Sequence, residues 1–176
     1  SGKSFQNYLN ENFYSKIGVN LMFNPAKNYQ MNKIVPTEND NTFRKQLVQG
    51  YVHDETAAIM GGISGNAGLF GCANDVGKIS ELLLNKGSFN NEQLINESTV
   101  KYFSNPENYK NERAIRGLGF DKPRLTSSGN TTPSHKFSDS SYGHTGFTGT
   151  FFWIEPEKET ICLLYTSDAA DEVRRV

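Results

Sequence analysis

The last third of the chain contains two apolar runs separated by a short polar turn, and this arrangement constrains the fold most. Thr148–Ile154 is dense in threonine and aromatic residues, and Thr160–Tyr165 is a second apolar run. Between them lies Glu155–Lys158, in which the proline at position 156 favours a turn. Strand formers on both sides of such a turn predict an antiparallel β-hairpin.

Helices are predicted ahead of this hairpin. The clearest one carries an acidic residue, Asp75, in its first turn and ends at a Lys86-Gly87 stop signal. Shorter helices are predicted at Phe5–Phe13 and Ser98–Phe103. Helices followed by late, hairpin-linked strands predict an α+β fold, an antiparallel sheet with flanking helices. The apolar residues that define the face of the clearest helix are Val76, Ile79, Leu82 and Leu83.

The remaining segments are predicted mainly as loops. Asn24–Thr56 is polar and contains two prolines, and Lys122–Ser141 is rich in Ser, Thr, Gly and Pro. Between the helices and the hairpin, Gly117–Asp121 is predicted as a short strand. No internal repeat is visible along the chain.

Composition excludes several classes of function. The chain has 176 residues, of which 36% are hydrophobic, so it has enough apolar side chains for a core. A net charge of -1 argues against nucleic acid as a partner, because such proteins usually carry a basic excess. No apolar run reaches the roughly 20 residues that a membrane-spanning helix needs. Cys72 and Cys162 are too few for a disulfide framework or a zinc site.

The segment Tyr142–Thr150 carries the most chemistry. It reads Tyr-Gly-His-Thr-Gly-Phe-Thr-Gly-Thr, so glycines alternate with polar side chains immediately before a strand. Gly146 lacks a side chain, which allows a ligand or another backbone segment to approach closely. His144 and Thr145 add a titratable ring and a hydroxyl at the same edge. A glycine-rich entry to a strand is also ordinary hairpin chemistry, so this segment alone does not decide the function.

An ordered series of motifs resembles the serine β-lactamase and penicillin-binding-protein superfamily. His144-Thr145-Gly146 resembles its Lys-Thr-Gly signature, which is His-Thr-Gly in many class C-like members. Four further segments resemble other parts of the same family and occur in the family's order. They are residues 1–19, 50–55, 61–70 followed by Asp75, and 152–157. The resemblance therefore covers nearly the whole chain, and it implies an incomplete β-lactamase-like fold, truncated at both ends.

The resemblance also implies site residues. Such proteins attack an amide, ester or β-lactam carbonyl with the serine of a Ser-x-x-Lys motif and form an acyl-enzyme. Here the N–H of Phe147 would help to build the oxyanion hole beside Gly146, Thr145 would bind a substrate carboxylate or carbonyl, and His144 would orient the proton network. Asn66 would line the substrate pocket. A His beside an Asp, as at His53 and Asp54, can indicate a proton relay, but adjacent residues rarely point their side chains at each other, so a structural or pocket-lining role is predicted for both. The partner would be a small molecule or a peptide, with no metal or organic cofactor.

The family's nucleophile and its Tyr-x-Asn motif are expected before Ser1, so the chain is predicted to be inactive alone. Ser98-Thr99-Val100-Lys101 and Tyr109-Lys110-Asn111 match both motifs by letter. We reject them because the gap between them is too short for the helical lobe that separates these motifs. The serine should also open a long, central helix. Tyr8-Leu9-Asn10 shows how easily such patterns arise by chance.

Two further interpretations concern the context of the chain. Residues 1–161 are predicted to be the C-terminal part of the family domain, and residues 162–176 match a translated sequencing adapter, so we expect this tail to be read-through. Resemblance places the parent protein in the bacterial periplasm or cell envelope. The alternatives to an acyl-transferring enzyme are a non-catalytic binding module and a domain appended to a larger enzyme such as a glycoside hydrolase.

Overall fold

The computed structural model describes residues 1–105, 116–125, 131–133 and 136–165, with main chain only at 124–125 and 131–132. The chain divides into two compact units. The first contains Ser1–Asp75, Gly146–Thr150 and, in the C-terminal part, Tyr165, and the second contains Val76–Thr145 and Phe151–Leu164. Within the described residues, the structure mixes helices with small antiparallel sheets, as the α+β prediction requires.

The first unit begins with a helix that is longer than predicted. Its segments are α1 (Phe5–Leu9), a π-helical turn (Asn10–Tyr14) and α2 (Ser15–Ile17). The hydroxyl of Ser4 caps α1 by accepting the N–H of Asn7. Gly18 then ends the helix in the left-handed conformation at φ 69°. The prediction that this helix ends at Phe13 was therefore wrong by about one turn.

The predicted loop between Asn24 and Thr56 contains a strand pair that the sequence did not predict. This segment contains the antiparallel pair β2 (Pro36–Asp40) and β3 (Gln46–Gln49), preceded by two 3-10 turns at Pro25–Lys27 and Met31–Lys33. The pair escaped prediction because its strands are mostly polar, with Val48 as the buried apolar residue. A two-stranded sheet of β1 (Met22–Phe23) and β4 (Leu69–Phe70) and the short helix α3 (Glu55–Ile59) complete the unit.

The apolar core of the first unit comes from its helix, its short strands and α3. Ala57 of α3 is fully buried, which fixes the start of this helix close to the core. The other buried apolar residues of this unit are Tyr14, Ile17, Val19, Leu21, Phe23, Val48 and Val52.

The second unit is built on the predicted hairpin. β10 (Phe151–Glu155) lies between β9 (Tyr142–Thr145) and β11 (Thr160–Leu164) in a three-stranded antiparallel sheet. The hairpin is confirmed, but its first strand begins at Phe151, because residues 147–149 form a turn and a bend rather than strand. The turn at Pro156–Lys158 is confirmed as a 3-10 turn.

Helices α4 (Ala73–Leu84) and α5 (Glu97–Ser104) confirm the two predicted later helices. Between them lies a small hairpin of β5 (Ser88–Phe89) and β6 (Glu92–Gln93). The buried apolar residues of the second unit are Leu82, Val100, Tyr142, Trp153 and Ile154.

Two predictions between α5 and β9 need correction. Gly117–Asp121 is not a strand: Asp121 makes isolated bridges to Arg116 and to Gly143. The predicted loop 122–141 contains a short antiparallel pair, β7 (Arg124–Leu125) and β8 (Thr131–Thr132). Both cysteines are free, with exposed side chains. Within the described part of the chain, no helix is long and apolar enough to cross a bilayer.

Candidate active site

Strand β9 presents the residues of the predicted His-Thr-Gly motif at the edge of the three-stranded sheet. Its register pairs His144 with Phe152 and Thr145 with Phe151. A side chain at Gly143 would come within 2.1 Å of the carbonyl oxygen of Phe152, so only glycine lets the two strands pair here. The strand is anchored by Tyr142, whose buried hydroxyl donates to the carbonyl of Leu83 at the end of α4 (3.2 Å).

Both ring nitrogens of His144 are engaged. Nε2 lies 2.8 Å from Nη2 of Arg116, and Nδ1 lies 2.6 Å from the carbonyl oxygen of Thr145. A guanidinium can only donate, so Nε2 must accept, and Nδ1 must then carry the proton that is shared with the carbonyl. Arg116 is held in turn by Asp121, whose Oδ1 lies 2.9 Å from its Nε. The structure thus holds His144 as the neutral Nδ1–H tautomer.

Thr145 is exposed at the end of β9. Among the described residues, its hydroxyl has no hydrogen-bond partner. An exposed hydroxyl with both donor and acceptor capacity can bind a carboxylate or a carbonyl of a ligand. The turn that follows begins at Gly146, whose N–H donates to the carbonyl of Thr150 (2.7 Å), and Gly149 closes it with a bond to the carbonyl of Gly146 (3.1 Å).

The side chain of Phe147 projects from this turn and stacks on His53. The two rings are parallel within 2°, with centroids 3.5 Å apart. Phe147 is nevertheless 75% exposed, so most of its surface beyond this contact is open. No acceptor for the backbone N–H of Phe147 lies among the described residues. This N–H is therefore available to an oxygen atom of a ligand.

His53 and Asp54 are neighbours in sequence, but their side chains have different partners. Nδ1 of His53 lies 2.9 Å from Oε1 of Glu38, off the direction of a well-formed hydrogen bond. Oδ1 of Asp54 caps α3 by accepting the N–H of Ala57 (2.7 Å). The two residues thus do not form a proton relay.

Asn66 contacts the same cap. Its amide nitrogen donates to Oδ1 of Asp54 (3.3 Å), while its amide oxygen accepts from the hydroxyl of Ser64. The N–H of Ala57 holds the pKa of Asp54 below its ordinary value, and burial opposes this only in part, while Asn66 and the nearby His53 add to the lowering. Asp54 is therefore an ionised cap that ties Asn66 and the glycine-rich segment to α3.

Sequence reasoning missed the ion network behind His53. The buried carboxylate of Asp40 accepts the N–H groups of Thr42, Phe43 and Arg44, and the Arg44 N–H is the largest cause of a pKa far below the ordinary range. Arg44 also donates from Nε to Asp40 (3.1 Å) and from its two terminal nitrogens to the carbonyls of Val52 and His53. The polar turn after Asp40 is the only sign of this network in the sequence.

The structure brings four of the predicted residues together in the first unit, namely His53, Asp54, Asn66 and Phe147. His144 and Thr145 belong to the second unit, with Arg116 and Asp121 as partners that the sequence did not suggest. An open cavity of about 550 Å³ in the first unit is lined by Arg44 and Val52, among others, but by none of the predicted site residues. Among the described residues, no group of three His, Cys, Asp or Glu side chains is arranged to hold a metal ion.

Ser98 and Lys101, which match Ser-x-x-Lys by letter, are both exposed on the eight-residue helix α5. The family's attacking serine should instead open a long helix at the centre of the domain, so the geometry of α5 does not fit that role. Tyr109 and Asn111, the letters of the accompanying Tyr-x-Asn, lie outside the described residues.

Comparison with known proteins identifies the family. The family model described as Beta-lactamase matches residues 1–176. A curated relative from Escherichia coli (strain K12), named "Putative D-alanyl-D-alanine carboxypeptidase", is 36% identical over 171 residues. That alignment covers 89% of this chain and 38% of the relative, so the chain spans less than half the length of the curated relatives it matches.

Solved structures agree on the fold. Simvastatin synthase from Aspergillus terreus superposes with a TM-score of 0.59 at 16% identity, covering 99% of this chain and 48% of that one. A protein from Bacteroides dorei DSM 17855 described as a "putative beta-lactamase" gives a TM-score of 0.54 at 13% identity, covering 99% of this chain and 52% of that one. The chain therefore belongs to the β-lactamase family of serine hydrolases, as its ordered motifs predicted, and carries part of the β-lactamase-like fold.

Proposed function

We propose that this chain supplies one wall of a serine acyl-transfer site, and that the attacking serine belongs to sequence that precedes Ser1 in a longer protein. The observation that carries the proposal is a pair of polar groups, at the end of β9 and just after it, that have no hydrogen-bond partner among the described residues. These are the exposed hydroxyl of Thr145 and the backbone N–H of Phe147, which has no acceptor among the described residues. Two peptide units separate them, so connectivity alone keeps their Cα atoms within about 7 Å.

Each group has a defined task in the proposed reaction. The serine oxygen attacks the substrate carbonyl, the N–H of Phe147 stabilises the resulting oxyanion, and the bond to the leaving group then breaks. The serine proton passes through a base outside this chain to the leaving nitrogen or oxygen. Water then attacks the acyl-serine ester and releases the acid. Thr145 binds a carboxylate or carbonyl of the substrate and keeps the substrate in position for attack by the serine.

The proposed substrate class is amides, esters or β-lactams, with peptides that end in D-alanine as the first candidates. The support for these peptides is the name of the relatives from Escherichia coli and Salmonella. A terminal carboxylate also matches the exposed hydroxyl of Thr145. The sequence before Ser1, which forms the rest of the pocket, selects among these classes.

A pair of substitutions at Thr145 tests the role of its hydroxyl. In the longer protein that contains this chain, Thr145→Val removes the hydroxyl but keeps the shape, whereas Thr145→Ser keeps the hydroxyl. A hydrogen bond to a charged group contributes about 1.5–3 kcal/mol, so we expect kcat/KM for a D-alanyl-D-alanine peptide to fall about 10- to 150-fold in the valine variant. The serine variant should stay within a few-fold of the parent.

Two outcomes would contradict the proposal. Equal activity of the valine variant and the parent would show that the hydroxyl binds no substrate group. Absence of turnover with peptide, ester and β-lactam substrates by a folded longer protein would favour a non-catalytic binding module instead.

A further inference from the structure

His53 lies between the turn that carries Phe147 and a hydrogen-bonded group formed by Asp40 and Arg44, which we call the anchor. One face of its ring contacts the ring of Phe147 in a parallel stack at 3.5 Å. At the ring edge, Nδ1 is buried and lies 2.9 Å from the carboxylate of Glu38. The carbonyl of His53 accepts from Arg44. The ring thus touches the turn that carries Phe147, its edge lies beside strand β2, and its backbone is held by Arg44 from the turn that follows β2.

More hydrogen bonds restrain the anchor than restrain the turn that carries Phe147. Asp40 is buried and accepts three backbone N–H bonds and one from the Arg44 side chain. Arg44 then reaches two consecutive carbonyls, those of Val52 and His53. These bonds fix the backbone that carries the imidazole, because one guanidinium, itself held by Asp40, ties down two consecutive carbonyls.

The turn itself has few restraints. Its internal hydrogen bonds join Gly146 to Thr150 and Gly149 to Gly146. Gly149 takes a positive φ of 81°, a conformation that costs glycine little and leaves the turn easily deformed. The Phe147 side chain is three-quarters exposed, and its stack on His53 joins it to the anchored backbone.

We infer that His53 is a positioning residue for the Phe147 turn. Its flat ring, carried by backbone that the Arg44 network fixes, fixes the ring of Phe147 and with it the direction of the Phe147 N–H. The role of this N–H as oxyanion donor rests on the proposed function, but the contact that positions it does not. On this view, the task of His53 is to present a flat face rather than to transfer a proton.

Two matched variants of the longer protein that contains this chain separate the ring face from the polar edge. His53→Phe keeps a flat ring but loses Nδ1, and His53→Gln keeps a polar group near Glu38 but loses the ring. The readouts are hydrogen exchange at the Gly146 and Gly149 amides and the ring-current shift of the Phe147 ring protons. A stacked aromatic pair contributes enough that losing it should speed exchange at these amides about two- to tenfold.

We expect the glutamine variant to show this faster exchange and to lose the ring-current shift, and the phenylalanine variant to resemble the parent in both. Amides of α3, which begins two residues after His53, report whether each variant keeps the local fold. Glu55→Gln, an exposed change in the first turn of α3, is the control and should match the parent.

Unchanged exchange in the glutamine variant, with α3 still protected, would overturn the inference. Equal loosening in both variants would also overturn it, because the polar edge rather than the ring face would then hold the turn. No substrate is present in these measurements, so a failure of the proposed acyl transfer would leave their result unaffected.

Discussion

At the scale of single residues, the environment of His144 limits the chemistry that this side chain can perform. Arg116 donates to Nε2, and Nδ1–H faces the carbonyl of Thr145. A ring held in this way has no lone pair that faces a substrate, so it acts as a fixed dipole at the end of β9. Its proposed role in the proton network is therefore one of orientation, with the proton carried by groups outside this chain.

The tautomer of His144 can be measured directly. Nitrogen-15 spectra of the chain at pH 8 should show His144 with the proton on Nδ1, because the guanidinium of Arg116 requires Nε2 to accept. Replacing Arg116 by Met removes that donor, and the Nε2–H form should then become populated. His144→Asn identifies the signal. A parent spectrum with the proton on Nε2 would contradict the assignment.

Motif resemblance selected the candidate residues of the site but not their partners. His144, Thr145 and Phe147 were chosen because the letters match a family signature. Arg116 was not found because it lies 28 residues before His144, in a stretch with no motif of its own. A hydrogen bond between residues so far apart depends on tertiary structure, and no local pattern reports it.

At the scale of secondary structure, prediction succeeded where a periodic pattern coincides with burial. Helix α4 carries apolar residues at helical spacing, the β10–β11 hairpin consists of two apolar runs around a turn, and both were confirmed. The β2–β3 pair was missed because its strands are mostly polar and the turn between them is organised by a buried carboxylate, Asp40, and its N–H donors. Such strands show no alternation of apolar and polar residues from which a strand could be predicted.

Replacing either of two glycines near the ends of α4 by alanine should change the free energy of unfolding, in opposite directions at the two positions. At Gly77, inside the helix, an added Cβ would be 3.4 Å from the end of the flexible Leu163 side chain, so Gly77→Ala should raise the free energy of unfolding by about 0.5–1 kcal/mol. At Gly87, φ is +90° and the Cβ would lie 1.9 Å from the carbonyl of Ile95.

Gly87→Ala should therefore lower the free energy of unfolding by at least about 1 kcal/mol. Chemical denaturation of both variants beside the parent measures the difference. A Gly77→Ala variant that is less stable than the parent would show that the helix tolerates no side chain beside Leu163.

Strand β9 is linked to the loop before it by Lys122. This lysine is 6% exposed, donates to the carbonyl of Ser140 (3.0 Å) and lies 5.8 Å above the ring of Tyr142. Burial lowers the pKa of Lys122 to about 8, although the charges of Asp139 and Glu155 oppose the shift. Burial also raises the pKa of Tyr142 to about 12.

These two shifts predict how stability changes with pH. Above about pH 8 the folded chain releases the Lys122 proton while the unfolded chain keeps it up to its ordinary pKa of 10.5, so the free energy of unfolding should rise between pH 8 and pH 10. Above pH 10, ionisation of Tyr142 in the unfolded chain acts in the opposite direction. Hydrogen exchange of β9 and β10 amides across this range measures the effect.

Lys122→Met is the matched control, since it keeps an unbranched side chain in the same place without the amine. Its dependence on pH between 8 and 10 should be flatter than that of the parent. An identical dependence in the parent and the methionine variant would show that Lys122 keeps its proton on folding.

At the scale of the whole molecule, the family was predictable because several motifs occur in one order along the chain. Each motif is short, but a series of motifs in one order along nearly the whole chain is specific to the family. The family model matches residues 1–176. The activity of the longer protein was not predictable in the same way, because the chain spans 38% of its relative from Escherichia coli.

The origin of the C-terminal residues stays a prediction. Residues 162–164 complete strand β11 opposite Phe151–Trp153, so the first residues of the suspected tail fit a strand. An apolar tripeptide can pair with β10 whatever its origin, so the pairing does not decide it. Independent genomic reads across codon 161 would decide between a native strand and read-through.

The most direct test of the central proposal is to map the acyl adduct. The longer protein that contains this chain is incubated with a fluorescent penicillin, and its intact mass and digested peptides are measured. We predict one adduct per molecule, on a serine that precedes Ser1, with residues 1–176 unmodified. An adduct on Ser98 that is lost in Ser98→Ala, or a folded protein that is never acylated, would contradict the account.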